Sequence, residues 1–486
     1  MSEKLKVNDE EYKFRKFKLS AGLWTTHAIT LISLVITIVI LIILAGVAVN
    51  LSLGENGLFR RAKEARDKYL TAEEKEQQQL NELYAYLSEK DLPENTKDTE
   101  AGTLVKIPNS WLTVLPNYVS DVDGSIVKET KTASTVYAVA DGKGNTIPVP
   151  VGFWYVGGTE ETGVVISDRE EDSYVKNKRD MTPHEDSIKL IGNQFVWIPC
   201  TINNYTMVTT FKNASGANAW GINWDGQTNA AEEVQIRKYG GFYIGRYEAG
   251  MSQATFGTND NIVDKEAAIN TKTINGLTGQ CDLFLKGNAS SDSKPTSKAG
   301  EIPWSRVDYL TAIEMSKRMY TSSSSVISGL ITGTMWDTMM KFISEDPDYN
   351  DLRSTPWGNY SNSNLTNCTG KYCVLDQYGN SSAWQENTVG TNKPNANAKY
   401  TLLSTGSTEQ VKKKNIYDIA GNLSEWTDEV GYLSNTNATY AGWWTRIARG
   451  ASYADDYNTW PVCYRIGAYS ISTLFTSGFR VALFLK

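Results

Sequence analysis

RGASYADDYNTWPVCYRIGAYSISTLFTSGFRVAL, Arg449 to Leu483, is the stretch from which the rest of the chain is read. Two short runs with strand character, RGASY and GFRVAL, bracket a segment rich in Tyr, Asp, Asn, Ser and Thr. From Val430 to Leu485 there is no Lys, Glu, Gln, Met or His, and all charge comes from Arg and Asp. Long flexible side chains are depleted at the centres of recognition surfaces, where Tyr, Trp, Asn and Arg are enriched. Two readings stay open. The segment is a binding face carried by Tyr453, Asp455, Asp456, Tyr457, Asn458, Trp460, Tyr464, Tyr469, Leu474 and Phe475, or it is a β-rich core that lacks those residue types.

Further motifs precede it in order: GNQFVWIPC (Gly192 to Cys200), GGFYIGRYEAG (Gly240 to Gly250), IPWSRVDYLTAI (Ile302 to Ile313), a helix around Trp336, and IYDIAGNLSEWT (Ile416 to Thr427). With RGASY and GFRVAL they resemble the formylglycine-generating, sulfatase-modifying family across most of residues 190–486. The resemblance implies a C-type-lectin-like fold with little regular structure, two helices and a binding face near the C-terminus. That fold would explain the long Asn/Ser/Gly loops, which exceed what compact domains normally hold.

Fold does not give function. Members of the family that oxidise cysteine use two cysteines, which bind copper and react as thiolates. The matching positions here are Asp455 and Trp460, neither a thiol, and Cys463 nearby is single. No catalytic residue is therefore assigned and no copper is expected. The resemblance also implies a structural calcium at Asp418, Gly421, Leu423 and Glu425, two carboxylates and two backbone carbonyls, the hard-oxygen set calcium prefers. Read without it, Asp418 and Glu425 cap loop amides. The segment after Arg449 is similar, too, to the variable region of proteins diversified by retroelements that mutate adenines. Asn-type codons ending in a pyrimidine cannot then yield Lys, Glu, Gln, Met or Trp, and from Tyr453 to Ser477 only Trp460 departs from that set.

Whole-chain composition narrows the function classes. A length of 486 residues suits two or three globular units. The net charge of −7, from 48 basic and 55 acidic residues, invites no nucleic acid. Only His27 and His184 are present, which nearly removes histidine catalysis and histidine-ligated metals. The cysteines, Cys200, Cys281, Cys368, Cys373 and Cys463, are odd in number and scattered, although Cys368 and Cys373 are close enough in sequence to bridge a hairpin.

Towards the N-terminus, Ile29 to Val49 (ITLISLVITIVILIILAGVAV) is uncharged and about long enough to span a bilayer. The stretch from Ala28 to Ser33 resembles the type IV prepilin processing site. This implies cutting between Ala28 and Ile29, a leader at 1–28, and a transmembrane pilin-like helix at 29–53. It places the chain in the bacterial cytoplasmic membrane with its C-terminal domain outside at the cell surface, and makes other pilin-like subunits candidate partners. Two positions depart from that family, which usually has Gly before the cut and Glu at the fifth mature position, here Ala28 and Ser33. Basic residues flank both sides, Lys13, Arg15, Lys16 and Lys18 against Arg60, Arg61, Lys63 and Arg66, so charge leaves orientation open.

Residues 54–90 read as a stem helix with an apolar stripe at Leu80, Leu83, Tyr84 and Leu87, and residues 91–102 as a polar linker. Residues 103–189 read as a small β-rich module with strands at Ser134–Ala140, Thr146–Val156 and Gly163–Ser167 and a glycine turn at 141–145. Within 190–486 the pattern predicts strands at Gln194–Ile198 and Gly241–Tyr247 and helices at Val307–Tyr320 and Thr334–Ile343. The last helix has Trp336, Met339, Met340 and Ile343 on one face behind a Thr334 cap. The expected class is thus α+β: anchor and stem helices, a β module and a lectin-like domain. The expected function is non-enzymatic display of a surface for an unknown protein or glycan ligand. The rival expectations are a membrane-anchored oxidase of the same fold and a minor pilin with a structural role.

Overall fold

The computed structural model describes residues 92–120, 126–178, 189–217, 223–225, 230–251, 272–274, 277–279, 294–377, 384–387, 392–394, 400–432, 445–469 and 474–486. Its centre is a six-stranded sheet in the order Val326–Leu330, Val481–Leu485, Gly241–Gly245, Gln194–Pro199, Val165–Ser167, Trp154–Gly157. Every neighbouring pair in it is antiparallel. Side chains alternate between faces along a strand, and here both faces are covered. Phe195, Trp197, Tyr243, Val481 and Leu483 pack on one side with Trp304 and Trp426. Val196, Ile198, Phe242, Ile244 and Ala482 pack on the other with Trp336, Met339 and Met340. Burial on both faces is why these strands read as unbroken apolar runs.

A second sheet runs Arg465–Tyr469, Thr445–Arg449, Ser424–Tyr432, Ser477–Phe479, with Asn223–Asp225 also paired to Ser424–Tyr432. Its Ser424–Tyr432 and Ser477–Phe479 pair is parallel. A three-stranded sheet of Leu104–Val105, Val136–Ala140 and Thr146–Pro150 carries the expected glycine turn. Gly142 and Gly144 take φ of +78° and +96° there, and Asp141 Oδ1 accepts from the Lys143 and Asn145 amides at 2.8 and 3.0 Å. The expected continuous strand to Val156 breaks at Gly152, whose φ of +86° turns the chain before Trp154–Gly157 joins the six-stranded sheet. Strands from both sides of the 189/190 boundary thus share one sheet: Val165–Ser167 pairs with Gln194–Pro199.

Among the described residues the α-helices are Tyr174–Asn177, Ala230–Tyr239, Tyr309–Arg318 and Gly333–Ile343, and strands dominate. The α+β expectation is corrected to a mostly β architecture, because the stretches between motifs fold as many strands of two to nine residues. The longest described helix has 11 residues, about half of the roughly 20 needed to cross a bilayer. No described helix is long and apolar enough to cross a membrane, so the expectation of a membrane-anchored, cell-surface chain is corrected as well. The processing site at Ala28 and Ile29, the segment 29–53 and the stem 54–90 lie outside the described residues.

Helix Tyr309–Arg318 is capped by Asp308, whose Oδ1 accepts from the Thr311 amide at 2.7 Å. Helix Gly333–Ile343 is capped by Thr332, not Thr334: the Thr332 hydroxyl oxygen accepts from the Met335 amide at 3.2 Å, and Thr334 is buried within the first turn. The same hydroxyl donates to Glu232 Oε2 at 3.2 Å, and Tyr205 donates to that oxygen too. Burial pushes the Glu232 carboxyl up to about 7.

One buried ring ties this helix to the second sheet. Asp337 bonds Arg449 at 2.6 Å and also pairs with Arg465, and Glu429 closes the ring to Arg449 at 2.5 Å and to Arg465 at 2.7 Å. None of the four side chains is more than 2 % exposed. The Val208 amide donates to Asp337 Oδ2 at 2.7 Å and the Val208 carbonyl accepts from Arg465 at 3.2 Å. Burial alone would raise the Asp337 carboxyl, but the Arg449 and Arg465 guanidiniums beside it hold it below its ordinary value.

Removing one member of a buried ion pair leaves the other charge uncompensated, at a cost of about 3–5 kcal/mol. Asp337→Asn should therefore lower the stability of the full chain by roughly that amount, read by urea denaturation. A loss under about 1 kcal/mol, as for a surface pair, would show that the ring holds little. Glu232 sets the opposite pH trend. Its folded value lies above its ordinary 4.5, so its contribution is complete below 4.5 and is lost as pH rises through about 7. Thermal melts should show the midpoint falling between pH 5 and pH 8, and Glu232→Gln should flatten that fall.

Candidate functional site

The connection between the two ring arginines is the candidate site. The chain leaves Thr445–Arg449 through Gly450 and Ala451, with φ of +86° and +56°, and returns at Arg465. A side chain at Gly450 would press on the Ile419 carbonyl at 2.8 Å, so both the turn and the close approach require glycine there. Ser452 opens a tight turn: its amide and hydroxyl donate to Asp455 Oδ2 at 2.8 and 2.6 Å. Asp456 continues it, accepting the Asn458 amide on its carboxylate and the Trp460 amide on its carbonyl, both at 2.8 Å.

A second segment, 354–363, braces this loop. The Ser361 amide and hydroxyl donate to the Asp455 carbonyl at 2.9 and 2.7 Å. Asn362 Nδ2 donates to Asp456 Oδ2 at 2.6 Å, and Asn362 Oδ1 accepts from the Tyr457 amide at 3.2 Å. Ser354 donates to Asn458 Oδ1 at 2.8 Å. The rings of Tyr360 and Tyr457 meet edge to face at 6.1 Å, and those of Trp460 and Tyr464 at 4.3 Å.

The ten residues expected on the binding face divide accordingly. Asp456, Tyr457, Trp460 and Tyr464 are half-buried and Asn458 is exposed, all on this one loop. Tyr453 is fully buried; its hydroxyl donates to the Phe475 carbonyl at 3.2 Å, which makes it a support. Asp455 is spent on the Ser452 turn, and burial raises its carboxyl. Phe475 lies 5.9 Å from the Arg306 guanidinium, and Leu474 is exposed. The backbone of Tyr469 ends a strand, and its side chain lies outside the described set. Sequence reasoning did not single out Ser354, Ser361 or Asn362, although the Ser/Asn density of STPWGNYSNS (Ser354 to Ser363) is a signal of loop capping.

Of the four residues expected to hold calcium, Asp418, Gly421, Leu423 and Glu425, the two carboxylates have protein partners of their own. Both Glu425 oxygens are taken by Arg480, at 2.6 and 2.9 Å. Asp418 Oδ2 accepts from the Gly406 amide at 2.7 Å, and burial pushes its carboxyl up to about 7. Among the described residues no group of three or more His, Cys, Asp or Glu is placed to hold a metal. Two cavities of about 660 and 470 Å³ lie elsewhere, around Tyr155, and no residue of 450–464 lines either.

No protein-family model matches the chain, and no curated protein matches it. Among solved structures it is similar to Treponema denticola variable protein 1, at 13% identity and a TM-score of 0.28, over 61% of this chain and 97% of that one. It is similar to a protein named CarF at 12% identity and a TM-score of 0.27, over 54% of this chain and 94% of that one. Likeness at this level carries no argument about function, and neither of these two structures supports the prepilin resemblance.

Cys200, Cys368, Cys373 and Cys463 are buried and free, so the hairpin bridge between Cys368 and Cys373 is not formed. Burial pushes the Cys463 thiol up to about 12, despite the guanidinium of Arg449 nearby. A thiolate is the reactive species, so these four should resist alkylation in the native full chain. Peptide mapping after iodoacetamide treatment should find them modified only in denaturant; native labelling of Cys463 would contradict the buried placement.

Proposed function

We propose that this protein is a non-catalytic binding protein and that the loop 454–464, with its 354–362 brace, is the surface that meets a protein or glycan ligand. The observation that carries the reading is the state of three aromatics. Tyr457, Trp460 and Tyr464 rest their inner edges on the core and keep their outer parts open, on a backbone pinned at both ends. Rigid aromatic anchors on a fixed backbone lose little conformational freedom on binding. Asp455 and Trp460 at the positions expected for thiols, beside a buried Cys463, support a binding rather than an oxidising role. Diversification by a retroelement belongs to the same reading, supported by the residue types from Tyr453 to Ser477, all of which except Trp460 can be encoded by codons ending in a pyrimidine. Gene sequences from several isolates would show changes clustered there.

Changing Tyr457, Trp460 and Tyr464 together to Ala tests the site. Truncating an interface aromatic costs about 2 kcal/mol or more, so even one true anchor means a loss of roughly thirtyfold in affinity. The full chain and the triple variant are compared on glycan and protein arrays, with melting temperature beside each. Loss of captured probes at an unchanged melting transition supports the face. Collapse of the transition would make these residues core, and a full chain that captures nothing would remove the binding reading.

A further inference from the structure

The brace itself rests on a buried cation. Lys393 is 5 % exposed, a rare state for lysine, and its ammonium donates to the Tyr360 carbonyl. No carboxylate among the described residues pairs with it; Cys368 is the titratable neighbour, and burial pushes the ammonium down to about 8. An ammonium out of water is unfavourable unless its bonds matter, and an apolar side chain would fill the same space.

What the bond does is visible in the turn it holds. The Tyr360 carbonyl also accepts from the Ser363 amide at 3.2 Å, and the Tyr360 amide donates to Ser363 Oγ at 3.1 Å. The Lys393 amide donates to the Leu365 carbonyl at 2.9 Å, so this one residue grips the segment on both sides of the turn. From that turn come the bonds to Asp455, Asp456 and Tyr457.

We propose that Lys393 is a positioning residue for the loop 454–464: its ammonium, on the Tyr360 carbonyl, fixes the 360–363 turn from which Asp455, Asp456 and Tyr457 are held. The inference rests on the binding reading for its purpose but not for its test. Replacing the donor by a shape-matched apolar chain frees the turn, and the loop follows it. The ring at Arg449 and Arg465 is closed by Asp337 and Glu429 and makes no bond to Lys393 among the described residues.

Amide hydrogen exchange of the full chain, without any ligand, reads this directly. Lys393→Met should speed exchange in 360–363 and 454–458 at least tenfold while the Gln194–Pro199 and Val481–Leu485 strands stay unchanged. Lys393→Gln, which keeps a donor, should bring the change below threefold. Unchanged exchange in Lys393→Met, equal effects of Met and Gln, or faster exchange throughout the chain would each overturn the proposal, the last by making Lys393 a general core residue. A chain that binds no array probe yet shows the local pattern keeps Lys393 in this role and loses only the binding reading.

Discussion

The ring of Arg449, Asp337, Arg465 and Glu429 is the constraint on which the C-terminal half depends. Two positive and two negative groups cancel one another away from water, and each carboxylate bridges both guanidiniums. Such a ring is satisfied only when all four members are in place, because each missing bond leaves a buried charge without a partner. It therefore fixes the Gly333–Ile343 helix against three strands at once. The loop between Arg449 and Arg465 gains its register as a by-product: its two ends have one geometry because the ring has one.

A second clasp fastens the two large sheets together. Arg480 grips Glu425 with two bonds and donates to the carbonyls of Gly245 at 2.9 Å and Tyr417 at 2.9 Å. Gly245 belongs to the six-stranded sheet and Glu425 to the second, so one guanidinium spans both. Its planar fork suits this better than an ammonium would, since several donors leave it in fixed directions. Asn422 completes the joint: its side chain accepts from the Leu403 amide at 3.1 Å and from Asn359 Nδ2 at 2.8 Å, and donates to Glu248. Asp418 and Asn422 take φ of +58° and +54°, a region that short polar side chains tolerate better than most.

What the sequence made legible follows from distance along the chain. The apolar face of Trp336, Met339, Met340 and Ile343 shows its spacing within one helix, and all four are buried. The turn at Asp141 is local too, and Gly142 and Gly144 announce it. Asp418 and Glu425 were singled out for calcium, and Arg449 and Arg480 lie within the RGASY and GFRVAL motifs, but the partners of these charges did not show. Arg449 meets Asp337 across 112 residues and Arg465 meets it across 128. No single-sequence period reports such a pairing, so Asp337, Glu429 and Arg465 went unremarked. The cap at Thr332 was missed by two residues because Thr332 and Thr334 flank Gly333 and either hydroxyl reads as a start signal. The helix Ala230–Tyr239 escaped for another reason: Glu232, Gln235, Ile236 and Tyr239 are its buried members, and two of those four are polar.

These separations explain how one loop holds both fixed and presented residues. Tyr453, Cys463 and the ring arginines point inward, and each meets a partner set by another element. Asp456, Tyr457, Asn458, Trp460 and Tyr464 lie between them and face outward in part. Several of the bonds that hold this stretch use its backbone: the carbonyl of Asp455, the amide of Tyr457 and the carbonyl of Asp456. A backbone held by its own amides and carbonyls keeps its path when outward side chains change, because the bonds do not name the residue. The exceptions are Asp455, Asp456 and Asn458, whose side chains bond Ser452, Asn362 and Ser354. Those three are therefore the positions in the loop where side-chain hydrogen bonds couple residue identity to backbone shape, while Tyr457, Trp460 and Tyr464 rest on the core by their inner edges and keep their outer parts open.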